Sequence, residues 1–67
     1  MEFWLERGYK LNGSTGQRGV WIISKAGKHA VGRDNEWTGQ IELVSAEWHH
    51  TLEDAQSEVM ELSVINV

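Results

Sequence analysis

With 67 residues, no cysteine and no proline, the chain has room for one small core stabilised by packing, since chains this short bury only about 60% of the surface their unfolded form exposes. Those counts exclude a disulfide framework, a thiolate metal site and a second domain, and no apolar run approaches the roughly 20 residues that cross a bilayer. The net charge of −4 conceals a division: residues 1–33 carry all six basic side chains against Glu2 and Glu6, whereas residues 34–67 carry eight carboxylates and neither Lys nor Arg.

The two halves therefore sum to +4 and −8, an asymmetry that points either to charged partners or to pairing between the halves. The opening Met1-Glu2-Phe3-Trp4-Leu5-Glu6 lacks the basic region of a signal peptide, and the expected compartment is the cytoplasm. Phe3, Leu5, Tyr9 and Leu11 share one parity and Glu2, Glu6 and Lys10 the other, so residues 2–11 fit a half-buried strand with Arg7 as the exception. The good helix formers before Gly8 also fit a single helical turn stopped by that glycine. Residues 12–19 contain three glycines and an Asn-Gly pair and predict a loop. It lacks the Lys-Ser/Thr ending and the following helix of a phosphate-binding turn.

Val20-Trp21-Ile22-Ile23-Ser24, a turn at Lys25-Ala26-Gly27-Lys28 and then His29-Ala30-Val31-Gly32-Arg33 predict a β-hairpin, because both arms are rich in β-branched or alternating side chains. A polar turn at Asp34-Asn35-Glu36 and the stretch Trp37-Thr38-Gly39 lead to a further strand between Gln40 and Trp48. Ile41 and Leu43 occupy one parity there, and Val44, Ala46 and Trp48 the other. A bulge near Val44-Ser45 or burial of both faces reconciles the two.

At Trp48-His49-His50-Thr51-Leu52-Glu53-Asp54-Ala55 the pattern changes from extended to helical. Thr51 supplies an N-cap oxygen, Asp54 stands three residues on, and Glu53 and Asp54 suit the positive end of a helix dipole. A helix is predicted from Leu52 to Leu62, burying Leu52, Ala55, Val59 and Leu62 with Met60 beside them. Residues 63–67 either extend it or return as an edge strand. The expected fold class is α+β: a small antiparallel sheet of three to four strands, over about residues 2–48, packed against one C-terminal helix of about residues 52–62 in a single domain of residues 1–67.

Chemistry has little purchase on this sequence. His49 and His50 stand near Glu47 and Asp54, but neighbours in a strand point to opposite faces, so no metal site is expected. No nucleophile elbow, redox motif or metalloprotease helix occurs, and neither an enzyme nor a cofactor is expected. Four tryptophans are a large share of the available apolar area; two or three are expected in the core, with Trp37 in its polar turn the first candidate for exposure and Trp48 the second. On the helix, Asp54 and Glu58 are spaced i,i+4 without a Lys, and Glu58 and Glu61 lie toward the C-terminal end, where each negative charge costs about 0.3–1 kcal/mol.

Those charges are offset either by the chain's own basic strands or by a basic surface on another molecule. The expected function is a small acidic interaction module, a regulator or inhibitor docking its helix face on a larger protein with a basic surface, such as a nucleic-acid-handling enzyme. Glu53, Asp54, Glu58 and Glu61 form the expected electrostatic face, with Trp37, Trp48 and His49 as anchors. The Thr-Leu-Glu-Asp-Ala step after short strands also resembles β-β-β-α modules such as the amino-terminal arm-binding domains of phage-type integrases, over residues 20–62. That resemblance implies nucleic-acid binding, with Arg18, Lys25, Lys28 and Arg33 on phosphates and Trp21 against the duplex, which the chain's acidity disfavours. Small phage proteins that inhibit host enzymes by docking are similar at the level of fold only. Self-association is the third reading, either with the basic sheet of one copy meeting the acidic helix of the next or as an isologous homodimer burying the extra Trp.

Overall fold

The computed structural model describes residues 3–65, with side chains described as far as Leu62. The chain forms α1 (Phe3–Glu6), β1 (Lys10–Asn12), β2 (Val20–Lys25), β3 (Lys28–Asp34), β4 (Ile41–Leu43) and α2 (Leu52–Ile65). The four strands make one antiparallel sheet in the order β1-β2-β3-β4, and α2 crosses it, the α+β arrangement expected.

The central hairpin follows directly from its sequence. β2 and β3 pair without interruption from Lys25↔Lys28 to Val20↔Arg33. The two residues between them, Ala26 and Gly27, both have positive φ, 52° and 78°. That is the type I′ geometry whose twist matches that of the flanking strands. Strand alternation then sends Val20, Ile22 and Val31 toward α2, where they pack with Ala55 and Val59, and sends Ile23 and Ala30 to the opposite face. Gly32 lies between the side chains of Ile23 and Ile41: a Cβ there would stand 2.6 Å from Ile41 Cγ2 and 2.8 Å from Ile23 Cδ1.

The beginning of the chain is the helical turn rather than the strand. Gly8, at φ 82°, ends α1 by a Schellman arrangement in which Gly8 N–H donates to Leu5 O (3.1 Å) and Tyr9 N–H to Trp4 O (3.0 Å). Only Lys10–Asn12 of the expected strand remains extended and paired. Met1 and Glu2 lie outside the described residues.

The expected strand from Gln40 to Trp48 is also shortened, to Ile41–Leu43. The N–H groups of Val44 and Ser45 then converge on Val31 O, at 2.7 and 3.3 Å, the hydrogen-bonding signature of a bulge at the place the broken alternation indicated. The chain rejoins β3 at a bridge between His29 and His49, each donating to the other's carbonyl. Leu43 opposes Gly32 and His49 opposes His29, so six residues of one strand span three of the other. Helix α2 begins at Leu52 as predicted and continues to Ile65, past the expected end at Leu62; residues 66–67 of the expected tail lie outside the described residues.

Two expectations about burial are corrected. Leu52 and Met60 are exposed, the latter by 70%: Met60 is turned about 100° from the contact line of α2 through Ala55, Val59 and Leu62, and Leu52 is the first residue of the helix, one turn before that line begins. None of Trp4, Trp21, Trp37 and Trp48 belongs to the buried core, which is aliphatic. Small side chains at Ala55 and Val59 bring the helix close to the sheet and leave no room for an indole. Trp4, Tyr9 and Trp48 instead form a half-buried aromatic cluster, with Trp4 meeting Tyr9 and Trp48 edge to face at 5.1 and 6.1 Å and Tyr9 stacked on Trp48 at 5.6 Å. Trp4 Nε1–H donates to Ile41 O at 2.8 Å, so α1 and this cluster lie over the sheet face that α2 leaves open.

Candidate functional site

The site forms where the bulged segment meets α2. Thr51 caps the helix, its Oγ1 accepting from Asp54 N–H at 3.2 Å, and this fixes the first turn against the end of the sheet. Trp48 and His49 precede the cap, and the extended backbone at the His29 bridge sends them to opposite sides. Trp48 enters the aromatic cluster. His49 reaches α2.

There His49 Nε2 lies 2.6 Å from Glu58 Oε1, and since a carboxylate oxygen accepts, Nε2 carries the proton. Ser45 Oγ donates to the same Oε1 at 2.6 Å while accepting from Val31 N–H at 2.8 Å. A polar chain thus runs from the β3 backbone through Ser45 to Glu58 and His49. Ser45 is a buried polar residue, and the chain satisfies it completely. The bulge is the local cause, because it turns Ser45 inward beneath the helix.

Between residues 46–49 and α2 this leaves an open groove of about 520 Å³, walled by Trp48 and His49 and lined by Glu47, Asp54, Glu58 and Glu61. No Lys or Arg lines it. Among the described residues the one carboxylate held within 4 Å of a basic side chain is Glu58, by His49, and no Lys or Arg pairs with a carboxylate. Two of the cations are engaged otherwise: Lys25 Nζ donates to Arg7 O at 2.7 Å and sits over the Tyr9 ring, and the Arg7 guanidinium lies 3.6 Å from the centre of the Phe3 ring.

The structure gathers Asp54, Glu58, Glu61, Trp48 and His49 around one groove, and it separates two other expected partner-binding residues from it. Glu53 is exposed and does not line the groove. Trp37 is 95% exposed in the turn between β3 and β4, beyond Asp34, whereas the groove lies by His29 at the other end of β3. Five residue steps along the strand separate His29 from Asp34, about 17 Å. The Trp37 turn is held from within: Asn35 Oδ1 accepts from Trp37 N–H (2.8 Å) and Thr38 N–H (3.2 Å), and Asn35 N–H donates to Gln40 O (2.8 Å).

The residues expected on phosphates are likewise divided. Lys25 and Lys28 flank the hairpin turn, beside Tyr9 and Trp48, while Arg18 and Arg33 line a different pocket with Asp34 and Glu36 at the far end of the hairpin. The half-buried Trp21 donates its Nε1–H to Asp34 Oδ1 at 2.8 Å.

Sequence reasoning overlooked Ser45, whose only signal was the broken alternation, and Gln17, whose Nε2–H donates to Val59 O at 2.6 Å and ties the glycine-rich loop to α2. Among the described residues no group of three or more His, Asp or Glu side chains is placed to hold a metal ion, and no helix is long and apolar enough to cross a membrane. Compared with known proteins, the chain matches no protein-family model, no curated protein and no solved structure.

Proposed function

We propose that the protein is a small interaction module, a regulator or inhibitor that docks the groove between residues 46–49 and α2 onto a basic surface of a larger protein. The observation that carries this reading is the unpaired state of the groove: among the described residues no Lys or Arg meets its carboxylates, and His49 bonds Glu58 alone. Asp54, Glu58 and Glu61 stand on successive turns of a helix with no basic residue in its last turn, so like charges accumulate along one side. A guanidinium entering the groove would be held by two carboxylates at once and would lie against the Trp48 ring, the geometry arginine satisfies better than lysine.

In this reading Glu47, Asp54 and Glu61 supply attraction, and Glu58 and His49 fix the shape of the wall. Glu53 and Trp37 serve as outlying contacts on a partner large enough to reach them. Affinity capture from the native host's lysate on immobilised wild type and on Glu47→Lys/Glu61→Lys tests it. Glu58 is left unchanged because its replacement would break the bonds to Ser45 and His49. A partner retained by wild type and lost by the variant is the expected result; equal retention removes the groove from the account. Nucleic-acid binding by Lys25 and Lys28 is the second reading, favoured by the aromatic neighbours Tyr9 and Trp48. Salt-sensitive retardation of DNA or RNA that Lys25→Glu/Lys28→Glu abolishes would put it first.

A further inference from the structure

We infer that in the free protein the groove is occupied by a second copy of the chain, the hairpin tip of each protomer lying in the acidic groove of the other. The inference rests on the groove being the docking face and names what covers it before a larger partner arrives.

Two oppositely charged hollows share one residue. The acidic groove and a second pocket of about 260 Å³, lined by Tyr9, Lys25, Ala26, Lys28 and Trp48, lie on either side of Trp48, which lines both. Both are at the same end of the sheet, where the Ala26-Gly27 turn, the His29–His49 bridge and the first turn of α2 come together. The second pocket contains no carboxylate, the first no Lys or Arg, and among the described residues no ion pair joins them within one chain. Each hollow therefore offers what the other lacks.

A two-fold axis near Trp48 satisfies both at once. It sets Lys25 and Lys28 of one protomer against Glu47, Asp54 and Glu61 of its partner, and repeats the contact in reverse, so the assembly closes at two copies. The centre of such a contact would hold Trp48 with the small residues Ala26 and Ala46, and its rim the charges, the usual distribution of an apolar core and a polar rim. The dimer then regulates the module, since a basic partner must displace the hairpin to enter the groove.

Sedimentation velocity on the full chain tests this, at about 50 mM and about 500 mM salt, between which the screening length falls severalfold. Wild type is expected to show a concentration-dependent dimer at the lower salt and to lose it at the higher. Lys25→Glu/Lys28→Glu, with an acidic hairpin and an acidic groove, and Glu47→Lys/Asp54→Lys/Glu61→Lys, basic at both, should each be monomeric alone. Mixed, they should form the heterodimer, which also shows that both variants are folded. Wild type that remains monomeric at low salt, a dimer retained by either variant alone, a mixture that does not associate, or assemblies that grow beyond two copies each overturn the inference. Titration of the Lys25→Glu/Lys28→Glu protein with an arginine-rich peptide separates the two readings. If the peptide binds its intact groove while wild type is monomeric, only the dimer fails; if the peptide does not bind, the groove reading fails too.

Discussion

Trp48 and His49 are consecutive, yet one joins an aromatic cluster with Trp4 and Tyr9 and the other a carboxylate on α2, and the two sides of the sheet differ in the same way. The side under α1 is covered by rings meeting edge to face, with one indole N–H bonded to a strand carbonyl. The side under α2 is closed by small aliphatic residues and by the polar chain through Ser45, Glu58 and His49. Area dominates on the first side. On the second, direction matters, because a satisfied buried polar chain has few alternative arrangements. The comparison explains why the groove belongs to the α2 side: its wall is held by hydrogen bonds of defined geometry, leaving Glu47, Asp54 and Glu61 free to meet another molecule.

Removing area should do the greatest damage. Trp4→Ala is expected to destabilise by about 3 kcal/mol, the low end for a Trp truncation because the ring is half-buried, and to lower Tm by roughly 15 °C in a thermal melt. A loss below about 1 kcal/mol would mean that the cluster covers the sheet without supporting it. Ser45→Ala should follow at about 2 kcal/mol, since it leaves the Val31 N–H buried without its acceptor and removes one donor from Glu58. That cost, measured by denaturant unfolding, sharpens the comparison if peptide binding weakens as well, because Ser45 bonds Glu58 in the groove itself, whereas Trp4 meets the groove only through the Trp48 ring.

The hairpin turn should move stability the other way. Ala26 holds φ 52° without being glycine, and Ala26→Asn, giving the Asn-Gly pair that type I′ turns favour, is expected to gain about 0.5–1 kcal/mol. Trp37→Ala should change stability by less than about 0.5 kcal/mol, as its side chain is 95% exposed. A larger change in chemical denaturation would show that the ring has a structural role that its exposure denies.

The hairpin and α2 were legible because local chemistry and tertiary packing agree there: β-branched arms around a turn containing glycine, and Thr51 ahead of the Ala55–Val59–Leu62 line. The α1 turn was legible only as an alternative, because propensity allowed a strand as well and the choice was made by contacts from Trp4 to the distant Ile41 and by the positive φ of Gly8. The exposure of Trp37 was legible from its polar turn, but the exclusion of Trp4, Trp21 and Trp48 from the core was not, since it depends on how closely α2 approaches the sheet. Glu58 was read as part of an open acidic face from its i,i+4 spacing to Asp54. It is turned into the polar chain by Ser45 and His49, residues brought to it by a bulge whose effect on facing no periodicity expresses. The remaining carboxylates of the groove were legible as a charge imbalance, and the fold adds that the chain does not correct it.

The most direct test of that uncorrected charge is calorimetric titration with an arginine-rich peptide, comparing wild type, Glu61→Lys and the matched control Glu36→Lys, which makes the same change in net charge away from the groove. The account predicts that Glu61→Lys weakens binding at least about tenfold, about 1.4 kcal/mol, while Glu36→Lys stays close to wild type. Equal weakening by both variants would show that the peptide responds to overall charge, and would contradict the assignment of the groove as the docking face.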